Sequence, residues 1–155
     1  MSVIDDMLNK EVILGSFTFT QENIIEYARQ FDPQYFHVDP VAAKDSLFGN
    51  LCASGWHSAS VWVKLNIQSL QREVAEMIAK GEIPPVFGPS PGFTNLTWTR
   101  PVFVGDTLTY TRIITSIRAL ESKPGWSMIT MICAARDEKN EEILRFENAA
   151  MIKLP

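Results

Sequence analysis

An aspartate and a histidine stand five residues apart in Phe31-Asp32-Pro33-Gln34-Tyr35-Phe36-His37, and Ala53-Ser54-Gly55-Trp56-His57 follows after an aperiodic run. A carboxylate beside an imidazole can take up and deliver protons near neutral pH, because an ordinary imidazole titrates near ~6.5. Ser54 reads as the cap, and Gly55 as the first residue, of a long apolar helix. The first amides of a helix have no intrahelical acceptor and carry the positive end of its dipole. The Gly55 N–H is therefore the donor placed to hold an oxygen on which negative charge develops. Asp32 and His37 as the acid/base pair, with Gly55 and Ser54 facing the substrate, make a site that moves protons next to a carbonyl.

The elements that must position these residues follow from periodicity. Gly15–Thr20 alternates as a strand, and Thr20 caps a helix over Gln21–Phe31 that has to stop before Pro33, which leaves Asp32 at the helix exit. From His37 to Ala53 the period is lost, with helical turns expected over Val38–Lys44. A helix from Gly55 to about Ala79 carries an expected buried stripe of Val61, Leu65, Leu70, Val74 and Ile78. Gly81 and Pro84-Pro85 end it. Phe93–Phe103, Thr107–Arg118, Trp126–Arg136 and Ile143–Leu154 then read as four strands joined by turns at Gly105-Asp106, Ser122–Gly125 and Asp137–Asn140, with a bulge or edge at Pro101. An antiparallel meander needs one face covered, and the long helix is the element apolar enough to do so. An α+β fold is expected, a curved antiparallel sheet wrapped around one central helix.

At 155 residues the chain fits a single domain over 1–155, with residues 1–10 as an N-terminal arm and 32–54 as an overhanging loop. Fourteen Lys+Arg against eighteen Asp+Glu give a net charge of −4, which leaves no basic footprint for nucleic acid. The start lacks the features of a leader, and no apolar run is long enough to cross a bilayer, so no membrane partner and a cytoplasmic location are expected. Cys52 and Cys133 form no metal-ligand or disulfide pattern, so no metal is expected and both read as small buried hydrophobes.

Each singled-out residue also has a plainer role. Asp32 before a proline is a turn residue, and His37 alone is a hydrogen-bonded structural histidine. Ser54 serves as a cap rather than a nucleophile. His57 either lines the pocket or is satisfied in the core, the second being favoured. Tyr35, Phe36 and Trp56 suggest a closed aromatic pocket, and Arg100 either reaches a phosphate or is ion-paired at the surface.

The element order, Asp32 and His37 ahead of Ala53-Ser54-Gly55, and the Arg100-Pro101…Gly105-Asp106 segment resemble the MaoC-like dehydratases of the hot-dog superfamily, which include the (R)-specific enoyl-CoA hydratases. The resemblance spans roughly Phe17 to Leu154. The family motif, Asp-x-Asn-Pro-x-His, is present with Gln34-Tyr35 in place of Asn-Pro, and Ser54 stands where a histidine often precedes the glycine. The resemblance implies that Asp32 and His37 contact one catalytic water and add it to a trans-2-enoyl-CoA, giving a (3R)-3-hydroxyacyl-CoA. It further implies no cofactor besides the CoA thioester substrate, a homodimer or higher homo-oligomer with sheets joined edge to edge, and a CoA arm near Pro91–Phe93 and Arg100. Two alternatives on the same scaffold are an acyl-CoA thioesterase and a non-catalytic acyl-thioester binding protein.

Overall fold

The computed structural model describes residues 6–155. Residues 1–5 of the expected arm lie outside the described residues. The later part of the arm is pinned to the sheet, with Leu8 bridged to Ile114 and the Asn9 N–H donating to the Ile114 carbonyl at 2.8 Å.

Strand β1 spans Glu11–Thr18 and begins earlier than its alternation suggests, because pairing with a later strand defines it. Helix α1 covers Gln21–Phe31. Thr20 Oγ1 accepts the Asn23 N–H while Asn23 Oδ1 accepts the Thr20 N–H, a reciprocal cap that fixes the start. The turns expected over Val38–Lys44 are displaced and split into α2, Tyr35–Val38, and a 3₁₀ turn, Ala42–Asp45. Pro40 forces Asp39 out of the helical region, and the Asp39 carboxylate then caps the second piece through the Val41 and Ala42 amides. His37 thus sits on a short helix rather than on a loop.

Helix α3 runs from Gly55 to Ala79 as expected. Its buried face is not the expected stripe. Val61 is buried, but Leu65, Leu70 and Val74 are only half-buried and Ile78 is 60% exposed, while Asn66 and Ser69 lie inside. The cause is Arg112, buried on the facing strand. It donates to Asn66 Oδ1 at 2.8 Å and to both oxygens of Glu73, whose Oε1 also accepts from Ser69. A buried guanidinium requires such partners.

The sheet has the order β1-β4-β5-β6-β2, with β3 also paired to β6 and every pairing antiparallel. Strands β2 (Val86–Phe87) and β3 (Gly92–Trp98) attach to successive parts of β6 (Glu142–Lys153), and β4 (Thr107–Ala119) and β5 (Ser127–Arg136) complete the meander. The strand expected to reach Phe103 stops at Trp98, and the irregularity falls between Thr94 and Thr97, with Asn95 at φ +54°, not at Pro101. Beyond Trp98 the chain leaves the sheet, and the Val102 carbonyl accepts the Ala53 N–H at 2.8 Å. The sheet curls around α3, whose Trp62 donates to the Thr111 carbonyl and packs edge-on against Phe146.

Candidate active site

Three short connections bring the two sequence clusters together. The Cys52 N–H donates to the Phe36 carbonyl at 3.1 Å, Cys52 bridges to Phe103, and Ala53 bonds to Val102. They lace the approach to α3 between α2 and the strand-leaving segment. A chamber of about 500 Å³ results, walled by Asp32, Gln34, Phe36, His37, Ser54, Gly55, Trp56 and Trp98 among others.

Inside it, His37 Nε2 lies 3.3 Å from Asp32 Oδ2. His37 Nδ1 is 2.6 Å from the Cys52 carbonyl oxygen. A carbonyl only accepts, so that contact assigns the proton to Nδ1 and leaves the Nε2 lone pair of the neutral ring turned toward the carboxylate. A carboxylate oxygen and an imidazole lone pair both accept, so they converge on a donor such as one water molecule. When the ring is protonated they become an ion pair. The other Asp32 oxygen, Oδ1, accepts from Gln34 Nε2 at 2.8 Å, which fixes the carboxylate's rotation.

At the start of α3, Ser54 serves three amides. Its Oγ accepts from Trp56 at 3.2 Å, and its carbonyl accepts from His57 at 2.9 Å and from Ser58 at 3.4 Å. Among the described residues no acceptor meets the Gly55 N–H, and that residue lines the chamber. Ser54 is thus the cap, and Gly55 keeps the free donor. Packing of Trp98 requires glycine at position 55. A Cβ there would come within 2.5 Å of the Trp98 ring, whose Nε1 donates to the Gly55 carbonyl at 3.0 Å.

Several expected residues fall elsewhere. Tyr35 is half exposed and outside the chamber, its ring edge-on to Phe36, because α2 turns the Tyr35 and Phe36 side chains in different directions. His57 is outside as well, in an aromatic box formed by Tyr27, stacked at 4.5 Å, with Phe17 and Phe19 edge-on. Burial lowers its pKa to about 4, and Nδ1 has no partner among the described residues, so the ring is in the core but not fully satisfied. Phe36 and Trp56 do line the chamber. Arg100 also reaches it, but its guanidinium is held by Asp106 and Asp137, each at 3.0 Å, and donates to the Pro101 carbonyl; it is ion-paired rather than free for a phosphate. Cys52 Sγ lies 3.7 Å from His37 Nδ1, yet burial, with the Asp32 charge, pushes its pKa up to about 11, so it stays a thiol and a poor nucleophile.

Sequence reasoning missed Gln34, Phe48 and Trp98 as chamber residues. Gln34 had a signal, since it occupies the motif's asparagine position with a longer amide. Trp98 had none nearby in the chain.

The family model for the MaoC like domain matches residues 7–124. The chain belongs to the MaoC-like domain family. Among curated proteins it is similar to the uncharacterized protein YdeM of Bacillus subtilis (strain 168), at 25% identity over 141 residues and 89% of each chain. Among solved structures, a MaoC-like dehydratase from Rhodospirillum rubrum superposes with a TM-score of 0.80 at 25% identity, covering 100% of this chain and 99% of that one. The (R)-hydratase from A. caviae involved in PHA biosynthesis gives a TM-score of 0.65 at 23% identity, with 96% of each covered. The architecture of this MaoC-like chain is the hot-dog fold.

Proposed function

We propose that this MaoC-like protein is an acyl-CoA hydratase/dehydratase that adds water reversibly to a trans-2-enoyl thioester. One observation carries the reading: Asp32 Oδ2 and His37 Nε2, 3.3 Å apart, face the same chamber as the unpaired Gly55 N–H. In the hydration direction one water donates to both acceptors. Its oxygen bonds to the β-carbon as His37 Nε2 takes a proton, and the β-carbon's π electrons shift toward the thioester. The Gly55 N–H holds the enolate oxygen that forms, and the Asp32–His37 pair then returns a proton to the α-carbon. Delivery from one side gives syn addition and, following the family resemblance, a (3R)-3-hydroxyacyl-CoA. Dehydration is the reverse.

The chain acts as one unit in a homodimer. Among the described residues β3 is paired to β6 alone and is largely exposed, which leaves an edge for a second copy. The CoA arm runs past Pro91–Phe93, and no further cofactor takes part. The thioesterase alternative lacks a carboxylate on α3 near Gly55, because Glu73, the first along the helix, lies about five turns away and is bonded to Arg112.

The test is loss of enoyl absorbance with crotonyl-CoA, followed by chiral analysis of the product. Turnover that vanishes in Asp32→Asn and His37→Ala with the fold intact supports the reading. Release of free CoA thiol favours the thioesterase, and tight binding without turnover on any chain length favours the binding protein.

A further inference from the structure

Three cavities follow one another along α3. The catalytic chamber and a trough of about 190 Å³ share Trp56 as a wall. The trough and an inner cavity of about 340 Å³, between α3 and the sheet, share Val63, Phe93 and Phe146. A chain of aromatic rings runs the same way. Trp98 meets Trp56 edge-on at 5.5 Å, Trp56 meets Phe93 at 6.4 Å, Phe93 meets Phe146 at 6.0 Å, and Phe146 meets Trp62 at 5.1 Å. Beyond Trp56 the trough is walled by Ala59, Val63, Phe93, Leu96 and Phe146 with Ser60 its one hydroxyl, and the inner cavity is mostly apolar, its Arg112 guanidinium already bonded to Asn66 and Glu73. Such a trough suits a hydrocarbon chain.

We infer that Trp56, braced by Trp98, is a partition that sets acyl-chain length: the chamber takes short acyl thioesters, and the apolar path behind the partition is closed to them. Trp98 is itself fixed by its bond to the Gly55 carbonyl and by the fit of its ring over the glycine. The Trp56 side chain therefore stands on a rigid neighbour, and rigid aromatic pairs resist displacement. Trp56 is half exposed, so truncating it removes a wall without emptying the core. Removing it joins the chamber to the trough and gives each further methylene of a longer chain an apolar surface to bury.

This inference rests on the thioester reading of the chamber, and the experiment separates the two. Wild type, Trp56→Leu and Trp56→Ala are compared for turnover of four- and ten-carbon trans-2-enoyl-CoA, and for calorimetric binding of the saturated thioesters of the same lengths. Wild type should favour four carbons. The ratio of ten-carbon to four-carbon kcat/KM should rise at least about tenfold in Trp56→Ala and less in Trp56→Leu, as burial of two or more methylenes requires. Adding Ala59→Phe, which refills the trough, to Trp56→Ala should restore the wild-type ratio. A wild-type preference for ten carbons, or an unchanged ratio in Trp56→Ala, overturns the partition. Binding that follows the predicted lengths without any turnover keeps the partition and removes the hydratase reading. Absence of binding by either thioester removes both.

Discussion

His37 and His57 are buried almost equally, at 6% and 5% exposure, and they are the chain's two histidines. Around His37 the polymer supplies a carbonyl at Nδ1 and a carboxylate opposite Nε2, and the ring borders an open chamber. Around His57 it supplies three aromatic rings, and Nδ1 is left without a partner. Burial by itself decides nothing about an imidazole; the polarity of what surrounds it does. One environment turns a ring nitrogen toward a carboxylate in an open chamber, and the other keeps the ring neutral.

The largest effect that would break this contrast is at the polar end. Asp32→Asn and His37→Ala should each lower kcat/KM for enoyl hydration by roughly 10²–10⁴, the usual worth of a positioned acid or base, as read by the absorbance assay. Gly55→Ala should cost about 10²–10³, because its methyl drives against Trp98 and shifts the free amide. Near-wild-type rates in Gly55→Ala would remove that amide from the reaction.

Next in size is Gln34→Ala, expected to lower kcat about tenfold with a native circular dichroism spectrum, since a hydrogen bond to a charged group is lost. At the aromatic end the expectation concerns stability, not rate. The His57 pKa is about 4 in the folded protein and ~6.5 when unfolded, so unfolding takes up a proton between those values. Stability from this site is complete above pH ~6.5 and declines as pH falls toward 4, with a slope approaching one proton. Denaturant titrations of wild type and His57→Phe should differ by that slope over that window and nowhere above it. The smallest effect is at Cys52. With its pKa near 11, it should resist alkylation at pH 8 in the native protein and react on unfolding.

Where the sequence was legible, local chemistry decided the outcome. Thr20, Pro33, Ser54 and Gly81 punctuate α1 and α3 by capping and by ring geometry, and the period of two with turn residues marks β4, β5 and β6. The pairing of Asp32 with His37 followed from their joint placement ahead of a glycine-led helix and from the family resemblance, not from their spacing alone. The failures share a different cause, a distant partner. The polar inner face of α3 exists for Arg112, the early end of β3 for the bond from Ala53 to Val102, and Trp98 joins the chamber wall through Gly55, 43 residues away. Tyr35 and Phe36 could not be told apart without knowing that α2 is helical.

The bond from the Trp98 indole to the Gly55 carbonyl has a practical side. An emitting ring that lines the chamber is anchored to the residue whose free amide borders it, so a molecule settling there alters the field and solvation that the ring senses. Trp98 and its neighbour Trp56 give the protein a fluorescent gauge of occupancy, and Trp98→Phe would remove the anchored part of it, with Trp62 and Trp126 outside the chamber as an internal reference.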